Sequence, residues 1–156
     1  MNEIIKGVSF QEYYLTLVRM CTFLNYLGVE HKKKTPVGRL VLYDFYLKYP
    51  ELFIESNDRL DFDTKYSYFH WKPNYRLYTA VLADLRARGL VIYSEYSKDY
   101  FISERGSKYA SEVINSYTRA ILDSSIYIEK NICKLSLKQI SENIDDALMR
   151  ERENIE

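Results

Sequence analysis

The stretch ADLRARGLVIYSEYSKDYFISERG, residues 83–106, decides the fold. Its first residues close a helix whose apolar positions, Leu77, Tyr78, Val81, Leu82 and Leu85, recur at three- and four-residue spacing. Gly89 is placed to end that helix. LVIYSEY and DYFIS then alternate as two short strands, with Ser97, Lys98 and Asp99 near the tip between them. Ser103 is a cap for the helix that follows. Helix, hairpin, helix is the order of a winged helix, a module that either reads DNA or docks proteins.

Upstream, Ser9-Phe-Gln-Glu12 reads as a capping box opening a first helix to about Leu27. Phe10, Tyr14, Leu17, Cys21 and Leu24 form its apolar stripe, and Gly28 stops it. A basic loop, His31-Lys32-Lys33-Lys34, leads to Thr35-Pro36 as cap and first position of a second helix. That helix, VGRLVLYDFYLKY, is apolar almost all round and therefore central; Pro50 ends it. Residues 51–72 are an acidic, aromatic insertion in which LDFDTKYSYF predicts one short strand. Asn74 caps the third helix. Beyond Gly106 the pattern is helical nearly to the end, with a second capping box at Ser136-Leu-Lys-Gln139. Leu137, Ile140, Ile144 and Leu148 make a narrow stripe on the charged last helix, and MRERENIE should fray. The expected architecture is mainly α with a small β-hairpin (α+β). An arm (1–8) precedes a winged-helix domain (9–108, insertion 50–72) and a C-terminal helical extension (109–156).

The 156 residues fit one domain, large enough to build a core without staples. Cys21 and Cys133 are far apart and belong to no CxxC or Cys/His cluster, so both read as small core hydrophobes in a reducing compartment. No signal peptide pattern and no apolar run of membrane-spanning length occurs, which predicts a cytoplasmic, soluble protein without membrane contact. The 16 tyrosines suit half-buried positions and interfaces, though base composition of the gene explains them equally. Net charge is zero but segregated: five bases and two acids in residues 28–50, one and five in 51–63, eight and four in 64–108, six and nine in 109–156. An independent DNA-binding domain is usually basic overall.

The residues offer little chemistry. No glycine-rich phosphate loop is present, and no cofactor, metal or small-molecule substrate is implied. His31, in a lysine run, reads as solvated. His70 beside Trp71 reads as a partly buried structural residue, with a general base for an unidentified enzyme as the minor alternative. The basic residues are more informative. Lys32, Lys33, Lys34 and Arg39 flank the start of the second helix; Lys72, Arg76, Arg86 and Arg88 lie on or beside the third; Lys98 sits at the hairpin tip. These are the candidate DNA or phosphate contacts. Sequence-specific reading is disfavoured, because a helix-turn-helix joins its helices by about 3–4 residues, whereas the insertion here is far longer. The last helix packs on its own domain or docks a partner helix.

Five stretches in collinear order resemble a known family. SFQEYYLTLVRMCTFL is similar to its opening helix, PVGRLVLYDFYLKYP to its second, and HWKPNYRLYTAVLADLRARGLV to its third. YFISERGSKYASEVINSYTRAIL resembles its wing exit, and LSLKQI its late capping segment. The family is the small middle component of bacterial ABC-three-component systems, including the small subunit of Lamassu-type antiphage defence. The resemblance spans roughly residues 9–141; the acidic tail and a wing without glycine depart from it. It implies a non-catalytic adaptor between an SMC- or Rad50-like ABC ATPase that senses DNA and an effector, often a nuclease, with at most non-specific contact to double-stranded DNA. Arg39, Asp44, Tyr75 and Arg76 match its motifs. Asp44 and Arg76 are a candidate buried pair, and Tyr75, Tyr78, Leu137, Ile140, Ile144 and Leu148 are candidate docking residues. The alternative is a dimeric winged-helix transcription regulator with the C-terminal helices as dimerisation arms.

Overall fold

A helix that is apolar on every side is stable only where neighbours cover it all round. In the computed structural model, which describes residues 8–54 and 68–155, RLVLYDFYL has that place. Helix α2 (Val37–Lys48) is buried without a break from Arg39 to Leu47. Helix α1 (Phe10–Leu27) packs on it with a buried run from Thr16 to Leu24. Helix α3 (Tyr75–Ala87) buries Leu77, Tyr78, Val81, Leu82 and Leu85 against both. Strands β1 (Val91–Tyr93) and β2 (Tyr100–Ile102) pair antiparallel, Val91 opposite Ile102 and Tyr93 opposite Tyr100. Then come α4 (Glu104–Glu112), α5 (Ser116–Tyr127), a π-helical turn (Ile128–Ile132) and α6 (Leu137–Ile155). The described chain is mainly helical with one small two-stranded sheet, an α+β fold.

The junction of α3, hairpin and α4 follows from three small residues. Gly89 takes φ +73°, which costs a residue without Cβ nothing. Its N–H bonds Arg86 O at 2.9 Å while Leu90 N–H bonds Leu85 O at 2.9 Å, the paired pattern of a Schellman stop. Ser103 Oγ accepts from Gly106 N–H at 2.9 Å and donates to Gly89 O at 2.6 Å, so one hydroxyl ties the end of α3 to the start of α4. At Gly106 a Cβ would lie 2.0 Å from Leu90 O. Only glycine lets α4 approach the hairpin this closely.

Aromatic packing explains much of the tyrosine content. Phe45 is ringed edge-on by Tyr49, Phe53 and Trp71, with centroids 5.2, 6.0 and 4.9 Å away. Tyr49 meets Tyr68 at 5.8 Å. The stretches on either side of residues 55–67 are thereby held to the end of α2. Tyr43, Tyr46, Tyr49, Tyr68 and Tyr78 are all buried, so the tyrosines serve the core as much as the surface.

Several local expectations are corrected. Thr35 does not cap α2: Pro36 occupies that position without a side-chain bond, and the Thr35 hydroxyl donates to Tyr100 O at 2.9 Å in β2. Ser9 accepts from Glu12 N–H, but the Glu12 carboxylate reaches Lys48 Nζ at 2.7 Å. The helical run after Gly106 breaks at Val113–Asn115, where Asn115 and Thr118 form a reciprocal capping box. The predicted box at Ser136 and Gln139 forms. MRERENIE stays helical through Ile155. The strand expected in LDFDTKYSYF lies outside the described residues apart from Tyr68 and Phe69, which sit in a helical turn.

Candidate functional site

Two charges stand in the middle of the most apolar helices, and they meet. Arg19 of α1 is 3% exposed and Asp44 of α2 is 0%. Arg19 Nε donates to Asp44 Oδ1 at 2.8 Å and Nη2 to Oδ2 at 2.9 Å, a bidentate pair. Nη2 also donates to Thr16 Oγ1 at 3.0 Å, and Nη1 to Tyr117 Oη of α5 at 3.1 Å. Tyr78 of α3 donates its hydroxyl to Asp44 Oδ2. Burial opposes the Arg19 charge, but Asp44 outweighs it and holds the guanidinium pKa well above its ordinary value. Burial and the Asp44 charge push the Tyr78 phenol up. One network thus pins four helices.

Asp44 therefore pairs with Arg19 and not with Arg76, which is exposed. Arg76 and Tyr78 point roughly 200° apart on α3 at 100° per residue, so only one faces α2, and the residue that fits an apolar contact is Tyr78. This also withdraws Tyr78 from the docking candidates. Sequence reading missed Arg19; its signal was the one charge inside the otherwise uncharged LTLVRMCTFL.

The candidate phosphate contacts separate into three groups. Arg39 is buried: it donates to Tyr43 Oη at 2.8 Å and to the carbonyls of Cys133 and Leu135 at 3.0 and 2.8 Å, closing the turn after the π-helix. It is a structural clamp, not a DNA contact. Arg88 and Arg86 have partners within the fold. Arg88 Nε sits 2.8 Å from Asp84 Oδ1, and the Arg86 guanidinium lies 5.1 Å from the Tyr93 ring centre. Burial works against the Asp84 carboxylate, yet hydrogen bonds from Arg88 and Tyr13 hold its pKa below the usual value. Lys32, Lys33, Lys34, Lys72, Arg76 and Lys98 are exposed.

The apolar stripes also divide. In α6, Ile140 is 0% and Ile144 2% exposed, so these two belong to the core and cannot dock a partner; Leu148 is half-buried and Leu137 half-exposed. Each fully buried isoleucine contributes about 1.5–3 kcal/mol to holding α6 down. In α1 the opposite occurs. Leu17, Cys21 and Leu24 are buried as expected, but Phe10 and Tyr14 at the head of the stripe are 73% and 47% exposed. Tyr75 is exposed too.

His31 is not solvated: its ring stacks on Phe101 with centroids 4.5 Å apart and Nε2 lies 2.9 Å from Tyr100 O. His70 is exposed rather than partly buried. It lies on a cleft of about 500 Å³ lined also by Glu12, Lys48, Tyr49, Trp71 and Lys72. Among the described residues no His, Cys, Asp and Glu group has the arrangement of a metal site. Burial pushes the Cys21 thiol up to about 11, the behaviour of an inert core residue. No helix among the described residues is long and apolar enough to cross a membrane. Comparison with family profiles, curated proteins and solved structures gives no significant match.

Proposed function

We propose that this chain is a non-catalytic adaptor of a bacterial antiphage complex, cytoplasmic, in which an SMC-like ABC ATPase senses DNA and a separate effector acts. On this reading residues 9–108 are a winged helix converted to protein docking. The observation that carries it is the α1 stripe. Its lower half makes the core while its upper half emerges as Phe10 and Tyr14, one turn apart in solvent. Exposed neighbouring aromatics are what protein interfaces use. A second observation agrees: α3, the helix that would enter a major groove, has Arg88 on Asp84 and Arg86 on Tyr93. A base-reading helix keeps such side chains free for base edges.

The buried Arg19–Asp44–Tyr78 network suits a coupler, because a rigid polar lock across four helices transmits a push at one surface to another. The regulator alternative, with the C-terminal helices as dimerisation arms, is less favoured because Ile140 and Ile144 of α6 are already used in the core. Co-expression with the products of the flanking genes, followed by capture of this chain, tests the proposal. It expects an SMC-like ATPase and an effector in the captured material; capture of neither overturns it.

A further inference from the structure

We infer that one edge of the fold, formed by the loop Lys32-Lys33-Lys34 and the hairpin tip with Lys98, binds the phosphodiester backbone of duplex nucleic acid without regard to sequence. The inference starts from how firmly the loop is held. Thr35 N–H donates to Asp99 Oδ1 at 2.6 Å, and the Thr35 hydroxyl donates to Tyr100 O at 2.9 Å. Tyr100 N–H returns a bond to Thr35 Oγ1 at 3.0 Å. His31 adds the stack on Phe101 and the Nε2 contact to Tyr100 O, while its Nδ1 accepts from Lys33 N–H at 3.2 Å. A loop carrying three lysines is thus bolted along β2, beside a tip where Lys98 takes φ +67°.

Charge bookkeeping on this edge favours an anion. The acid next to Lys98, Asp99, accepts from Thr35 N–H and so ties the tip to the lysine loop. Glu30, Glu95 and Asp99 are the acids on these two stretches, against four exposed lysines, a net positive edge on a chain of zero net charge. The ligand class follows from residue type. Protein interfaces are depleted in lysine, whereas lysine point charges on an ordered loop are what phosphate backbones accept and what carries no sequence information. Tyr96, 99% exposed on the tip, offers a flat ring beside the charges. The aromatic head of α1 and this lysine edge are chemically distinct surfaces, one for protein and one for polyanion.

The inference deepens the adaptor reading by naming a ligand, and it is tested separately from it, on the isolated chain. Fluorescence anisotropy is measured with a labelled random-sequence DNA duplex and an RNA duplex of equal length. With four lysines engaged, log K should fall with log salt at a slope of about −3.5, and removing three should reduce that slope by about 2.5. The variant Lys32→Gln/Lys33→Gln/Lys34→Gln, checked for an unchanged melting curve, should weaken binding to both duplexes at least about 10-fold near 0.1 M salt. The variant Lys72→Gln/Arg76→Gln should bind as the parent does. The inference is overturned by absence of binding, by an unaffected triple variant, by loss in the Lys72/Arg76 variant instead, or by poly-glutamate competing as well as duplex at equal charge. A failed titration leaves the capture experiment, and so the adaptor reading, to stand or fall by itself.

Discussion

Replacing Asp44 with alanine removes the acceptor of Arg19 and Tyr78 at a site with no access to water. Taking one partner from a buried ion pair costs about 3–5 kcal/mol, because the other charge stays buried and uncompensated. The stranded Tyr78 hydroxyl adds to this, though not independently, since Arg19 and Tyr78 share one carboxylate. Total stability of a domain is about 5–15 kcal/mol, so the loss is a large fraction of the whole. For a chain of this size about 3–5 kcal/mol corresponds to a melting point lower by about 6–20 °C. The assay is urea and thermal denaturation by circular dichroism on the parent, Asp44→Ala, Arg19→Ala and Arg76→Ala. The first two variants should fall together. Arg76→Ala, at an exposed position, should stay within about 0.5 kcal/mol of the parent. An Asp44→Ala cost below about 1 kcal/mol, or an equal loss from Arg76→Ala, refutes the placement of the lock.

Other outcomes follow from single contacts. Gly106→Ala forces a Cβ onto Leu90 O and should cost at least about 2 kcal/mol in chemical denaturation, with the hairpin detaching first in amide exchange. Arg39→Ala leaves the Cys133 and Leu135 carbonyls without their donor and loosens the turn into α6; a cost of about 2–3 kcal/mol is expected from denaturation. Glu51 has a buried oxygen, Oε1, without a hydrogen-bond partner among the described residues, and burial followed by the nearby Glu151 raises its pKa above the ordinary 4.5. A raised folded-state pKa on an acid penalises the folded state as pH rises, so Glu51→Gln should melt higher than the parent at pH 7. The two should converge below about pH 4.5, where the unfolded carboxyl is also protonated.

The sequence disclosed what is local. Gly89, Ser103 and Asn74 announce their helix ends because capping chemistry acts within three or four residues, and the hairpin is visible in two short β-branched and aromatic runs, LVIY and DYFI, on either side of a polar tip. Short-range signals competing with long-range ones misled the reading at Thr35, whose hydroxyl prefers Tyr100, 65 residues away, to the adjacent helix end. The partner of Asp44 was not legible for the same reason. A carboxylate in an apolar helix demands a cation, but Arg19 and Arg76 satisfy that demand equally until the rotation of α1 and α3 about α2 is known. The α1 stripe was legible as periodic, but periodicity tells which residues share a face and not how far the neighbours extend along it, so the exposure of Phe10 and Tyr14 was not legible. The fate of the α6 stripe was undecidable by pattern alone; burial of Ile140 and Ile144 decided it.

The claim on which the account depends is that the exposed head of α1 is a docking surface. The direct measurement is the mass, by light scattering after size exclusion, of the complex formed on co-expression with the neighbouring gene products, for the parent and for Phe10→Glu/Tyr14→Glu. The account predicts a complex with the parent and a folded but solitary chain with the double variant. A complex of unchanged mass with the double variant would contradict it.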